Sequence, residues 1–243
     1  MSKIFLVLSF CLASCFLTTP PVRAFEEKAP TSETLKKKLS AAIEQFDQQS
    51  SYRWTTEDET TEEMRFRPGP VTGVTVRGGE THVTLSFGPR STQVVIKGEK
   101  AAVTNREGRW EAIWLSDQGY SSEGIAASIA RGVRLPIEEA KALFSSVKLF
   151  YEEGDMLVGA LPSNEHLSHR RGTEAVRDAK GTVRFSVIDG LLTKYVICVE
   201  GKLVNDDQTR EVWQQTTIEL FEIGTAKIDL PGGATEVLKR PIP

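Results

Sequence analysis

The chain has 243 residues, 26% of them charged, and a formal net charge of −3. A mildly acidic chain without basic clusters argues against electrostatic docking on nucleic acid or on an anionic bilayer. Length and composition fit one large domain of the all-β or α+β class.

The first residues carry Lys3 and then an apolar stretch from Ile4 through Leu17. This is the pattern of a secretory signal. It is too short for a transmembrane helix, which needs about 20 apolar residues. Pro20-Pro21 followed by Val22-Arg23-Ala24 predicts cleavage after Ala24. Leu12-Ala13-Ser14-Cys15 also resembles a lipobox, which would lipidate Cys15. Residues 1–24 are thus expected to be a signal peptide, and residues 25–243 a single exported, periplasmic domain, soluble or lipid-anchored. Loss of Lys3 and Arg23 takes the net charge from −3 to −5. Cys198 is the one cysteine beyond the leader, which rules out an internal disulfide there. Its apolar neighbours Tyr195–Val199 predict a small buried hydrophobe.

Thr31 or Ser32 can cap a helix to about Gln49, whose apolar face is Leu35, Leu39, Ala42, Ile43 and Phe46. Lys36-Lys37-Lys38 falls on its solvated side. Tyr52–Thr56 predicts a strand, and the acidic stretch Glu57–Glu63 a solvated turn or loop. Short β-rich segments at Val74–Arg77, His82–Phe87, Thr92–Lys97, Ala101–Thr104 and Trp110–Trp114 are separated by tight glycine turns. Loops that short force an antiparallel meander.

Helices are expected next. One follows Ser121 or Ser122 and carries Ile125 and Ile129. Another starts at Leu135-Pro136 and buries Ile137, Ala140, Phe144 and Val147. A strand at Leu157–Ala160, a short helix after Pro162-Ser163 and a glycine-rich loop follow. The last third predicts strands at Thr182–Ile188, Leu192–Glu200 and Val212–Phe221, with an Asp189-Gly190 hairpin turn. A terminal strand is expected over Gly224–Pro231. The fold class is α+β: a curved antiparallel sheet, a half-barrel wrapped around a few inserted helices.

Signs of catalysis are sparse. His166-x-x-His169 lacks a third ligand, and Arg170-Arg171 would oppose a cation. The chain beyond the leader has no Gly-x-Ser-x-Gly elbow, P-loop or Gly-x-Gly-x-x-Gly motif. No enzyme, cofactor or metal is expected. Val94-Val95-Ile96 and Tyr195–Val199 are apolar at adjacent positions, so both faces of those strands must meet apolar material. Helices over a packed core would account for this, and so would a greasy cavity between sheet and helices. Trp54, Trp110, Trp114, Phe144 and Trp213 are candidate ligand-binding wall residues of such a cavity.

Three blocks carry a family resemblance: Val94–Lys100 with Gly108 and Trp110; Ala179–Phe185 with Asp189-Gly190 and Lys194-Tyr195; and Thr216–Glu219 with Gly224-Thr225 and Leu230-Pro231. With the capped first helix and the central helical insertion, they resemble the LolA-like fold of outer-membrane lipoprotein carriers and LppX/LprG-type lipid-binding lipoproteins. The resemblance implies a half-barrel with an apolar cavity and, as partner, a lipid or acylated protein. It carries over no functional residue. A sensor or interaction module binding another envelope protein is the alternative.

Overall fold

The computed structural model describes residues 31–61, 69–87, 89–115, 125–162, 176–205 and 208–240. The expected leader, Cys15, the helix after Pro162, His166 and His169 lie outside them.

The first helix, α1 (Ser32–Asp47), is capped by Thr31, whose side-chain oxygen accepts the Thr34 amide hydrogen. Its buried residues are Leu35, Leu39, Ala42, Ile43 and Phe46, the face predicted from helical periodicity. Next come β1 (Ser51–Thr60), β2 (Val71–Val76), β3 (Glu80–Phe87), β4 (Arg90–Lys97), β5 (Lys100–Thr104) and β6 (Trp110–Trp114). The middle holds α2 (Ile125–Gly132) and α3 (Pro136–Ser146), then β7 (Phe150–Glu153) and β8 (Met156–Leu161). The long strands β9 (Val176–Ile188), β10 (Leu191–Asn205) and β11 (Gln208–Phe221) lead to α4 (Gly232–Lys239).

The eleven strands of the described residues join one open sheet in the order β6-β5-β4-β3-β2-β1-β11-β10-β9-β8-β7. Every neighbouring pair is antiparallel. The α+β half-barrel expected from the pattern is therefore the observed architecture. Strand β1 is its seam: it pairs with β2 of the meander on one side and with β11 on the other. At the β9–β10 turn, Asp189 and Gly190 both have positive φ, 51° and 78°. A two-residue turn of this kind matches the twist of the strands it joins.

The register separates the two faces of the sheet. On the inner face Tyr52, Trp54, Val83, Val94, Phe185, Tyr195, Ile197 and Ile218 join the main core with α1, Ala130 of α2 and Ala140 of α3. The Tyr195 hydroxyl donates toward α3, at 3.2 Å from the Pro136 carbonyl and 3.0 Å from Glu139 Oε2. On the outer face α4 covers Val95 and Ala102; these two and Ala234 are fully buried. The adjacent apolar residues Val94 and Val95 thus face two separate cores.

Four sequence expectations are corrected. Residues Glu57–Thr60 are not a loop: β1 runs on to Thr60, and the Thr216 hydroxyl donates to Asp58 Oδ1 at 2.5 Å. Pairing with β11 satisfies this polar backbone, which outweighs the solvation of its acidic side chains. Residues Gly224–Pro231 form no strand; the chain turns at Glu222 and Gly224, both with positive φ, and enters α4 after Pro231. The short edge strand β7, unforeseen, exists by pairing with β8. Cys198 is half-buried on the outer face rather than buried among apolar groups. Its sulfur lies 3.4 Å from Arg184 Nη1 and 3.5 Å from Gln215 Oε1.

Candidate functional site

Strand alternation places consecutive inner-face residues in rows that cross β1, β2 and β3. One row is Tyr52, Thr75 and Thr81; the next is Trp54, Gly73 and Val83; the third is Thr56, Val71 and Leu85. A cavity of about 350 Å³ lies over the second and third rows. Trp54, Val71, Val83 and Leu85 form its apolar wall, and its roof is Gly132 at the end of α2 with Val133 and Arg134 of the α2–α3 connection. On the β1–β11 side it turns polar, with Thr56, Asp58, Gln214 and Thr216, and Glu139 of α3 also reaches it. One wall is thus apolar and the other offers hydroxyl, amide and carboxylate groups, a pattern suited to an amphiphile.

A second cavity, of about 290 Å³, lies over the first row. Phe46, Tyr52, Ile96, Leu135 and Ile137 line it, with the β2–β3 turn at Gly78-Gly79 and polar groups from Asp47, Gln49 and Arg77. Asp47 is paired with Lys141 at 2.8 Å. The Tyr52 hydroxyl is buried and completes no hydrogen bond, although the Thr75 hydroxyl and the Ile137 backbone are its neighbours. Burial is the main reason its pKa is pushed up to about 12, and the carboxylates of Glu138 and Asp47 add to the effect. Tyr52 therefore stays a neutral phenol at any ordinary pH.

Of the five wall candidates, the four tryptophans divide by strand parity, and Phe144 sits on α3 and lines neither cavity. Trp54, 3% exposed, lines the larger cavity, and its indole N–H points to Thr75 Oγ1 at 3.4 Å. Phe144 is on the same side of the sheet, half-buried in the main core and stacked 5.9 Å from Phe150. Trp110, Trp114 and Trp213 fall on the outer face, away from both cavities. Trp110 packs under α4, Trp114 lies beneath Lys100 Nζ at 5.0 Å from its ring centre, and Trp213 pairs across to Glu200. The residues that complete the larger cavity, Thr56, Asp58, Val71 and Leu85 among them, carry no recognisable motif. Their only sequence signal is alternation along β1, β2 and β3.

No group of three His, Cys, Asp or Glu side chains with metal-holding geometry occurs among the described residues. On the outer face, the hydrogen bond that Arg184 donates to the Glu153 carboxylate raises the pKa of Arg184.

Three solved structures are similar to this chain over most of its length. The chain is similar to LprF and LppX in fold. For LprF from Mycobacterium bovis the identity is 13% and the TM-score 0.49, covering 84% of this chain and 99% of that one. For the Mycobacterium tuberculosis lipoprotein LppX the values are 10% and 0.49, with 82% and 99% covered. A domain assigned to outer membrane lipoprotein sorting, from Vibrio parahaemolyticus, gives 12% and 0.34, with 85% and 100% covered. No family model matches the sequence, and no curated protein does. Likenesses this distant carry no ligand, partner or site residue across, so the functional reading stands on the geometry.

Proposed function

We propose that this chain is an exported, non-catalytic envelope protein that binds an acyl chain or another apolar ligand with a polar end. The observation that carries the reading is the cavity over Trp54. At about 350 Å³ it lies within the range of roughly 300–1,000 Å³ typical of small-molecule sites. An apolar segment over Trp54, Val71, Val83 and Leu85 leaves the polar end beside Asp58, Gln214 and Thr216. Affinity comes from buried area, at about 0.8 kcal/mol per methylene. The apolar run at the N-terminus supports export, with residues 25–243 as the working domain.

The test is native mass spectrometry of the protein taken from its own envelope, then organic extraction and lipid analysis. A near-stoichiometric amphiphile is expected, together with uptake of a fluorescent fatty acid by the emptied protein. Leu85→Trp, which fills the cavity, should abolish that uptake. An empty protein that takes up no probe overturns the reading. It would favour an interaction module, for which Leu149 and Tyr151, 72% and 54% exposed beside the sheet edge, are the observation in hand. Sequencing the mature N-terminus separates a start at Phe25 from lipidation at Cys15.

A further inference from the structure

The two cavities lie over adjacent rows of the sheet. Tyr52 of one and Trp54 of the other are successive inner-face residues of β1. The rows therefore lie about 7 Å apart. The roofs are continuous too, since Arg134 lines the larger cavity and the next residue, Leu135, the smaller. Between them stands the Trp54 indole, lying on Gly73: a Cβ built there would come within 2.2 Å of Trp54 Cε2. Its N–H is tied to Thr75 Oγ1, which also accepts from Thr81, and both threonines line the smaller cavity.

We propose that Trp54 sets the length of apolar chain this protein accepts, by walling the larger cavity off from the smaller one. The inference rests on the ligand-binding reading above. Each cavity alone is near the lower limit for a small-molecule site, whereas the two joined would reach the middle of that range. With Trp54 in place a chain entering over Val71 and Leu85 ends against the indole. Without it, the chain continues past Gly73 toward Ile96 and Ile137. Trp54 is thus a specificity-determining residue, and Gly73, having no side chain, leaves the space its ring occupies.

The experiment is displacement of a dansyl-labelled fatty acid by a straight-chain series from octanoic to stearic acid, with wild type, Trp54→Ala and Trp54→Phe. In the wild type, affinity should rise by about fourfold per added methylene and then level off. In Trp54→Ala the rise should continue through several further methylenes, giving at least tenfold tighter binding of the longest acids. Trp54→Phe, with a smaller ring, should level off in between, and it carries the comparison if the alanine variant does not fold. Equal plateaus in all variants, a wild type that never levels off, or a uniform loss at every length would overturn the proposal. If no acid of any length binds any variant, the ligand-binding reading falls, and this inference with it.

Discussion

Trp54 packs against Gly73 on the neighbouring strand, so close that a β-carbon at Gly73 would sit 2.2 Å from the indole. The contact is with ring atoms and not with a flexible chain end, so the ring itself would have to move. Gly73→Ala should destabilise the protein by about 1–3 kcal/mol, the usual cost of overpacking a core. Urea denaturation of Gly73→Ala, Trp54→Leu and the double variant checks this. The alanine should cost much less once the indole is gone.

Tyr52 couples stability to high pH. Its phenol has a pKa of about 12 in the folded chain, against the ordinary 10.0. Below pH 10 both states keep the proton and the full stability is present. Between pH 10 and about 12 the unfolded chain loses the proton while the folded one holds it, so stability falls as pH rises. The loss attributable to this residue is about 2–3 kcal/mol. Chemical denaturation at pH 9 to 12 should show a shallower decline in Tyr52→Phe than in the wild type.

The seam between the halves of the sheet is pinned by the hydrogen bond from Thr216 to Asp58. Thr216→Val keeps the shape and removes that donor to a carboxylate. A loss of about 1.5–3 kcal/mol is expected, the range for hydrogen bonds to charged groups. Amide exchange should show the faster opening centred on the β1–β11 pairing, with the β4–β5 hairpin unchanged.

Helix α4 covers the outer face of the meander through Ala234, which has no exposed surface and packs with Val95, Ala102 and Trp110. Ala234→Arg should lift the helix and expose that patch, lowering the melting temperature and increasing dye binding to exposed apolar surface. Ligand uptake should survive in the folded fraction, because both cavities are on the other face.

Local patterns in the sequence were enough where one short-range rule dominated. The buried stripe of α1 follows from its 3.6-residue period, and the Asp189-Gly190 turn from the positive φ that both residues adopt. The same rules failed where partners lay far along the chain. The acidic end of β1 resembles a loop until β11, over 150 residues later, pairs with it. Pro231-Gly232-Gly233 resembles a stop until Ala234 meets Val95 and Ala102.

The tryptophans mark the boundary most clearly. Alternation along β6 showed by itself that Trp110 and Trp114 share a face, just as Tyr52 and Trp54 do on β1. It could not say which face the helices cover, since a period of two is unchanged when the sheet is turned over. Only the packing of α1, α2 and α3 on one side and α4 on the other decided that. It placed Trp54 and Phe144 inside and Trp110, Trp114 and Trp213 outside. The sequence alone determined the central parts of most strands, the Asp189-Gly190 turn and the first helix, but not β7, the end of β1 or α4. The cavities arise between elements distant in the chain, so tertiary packing alone decided their place and shape.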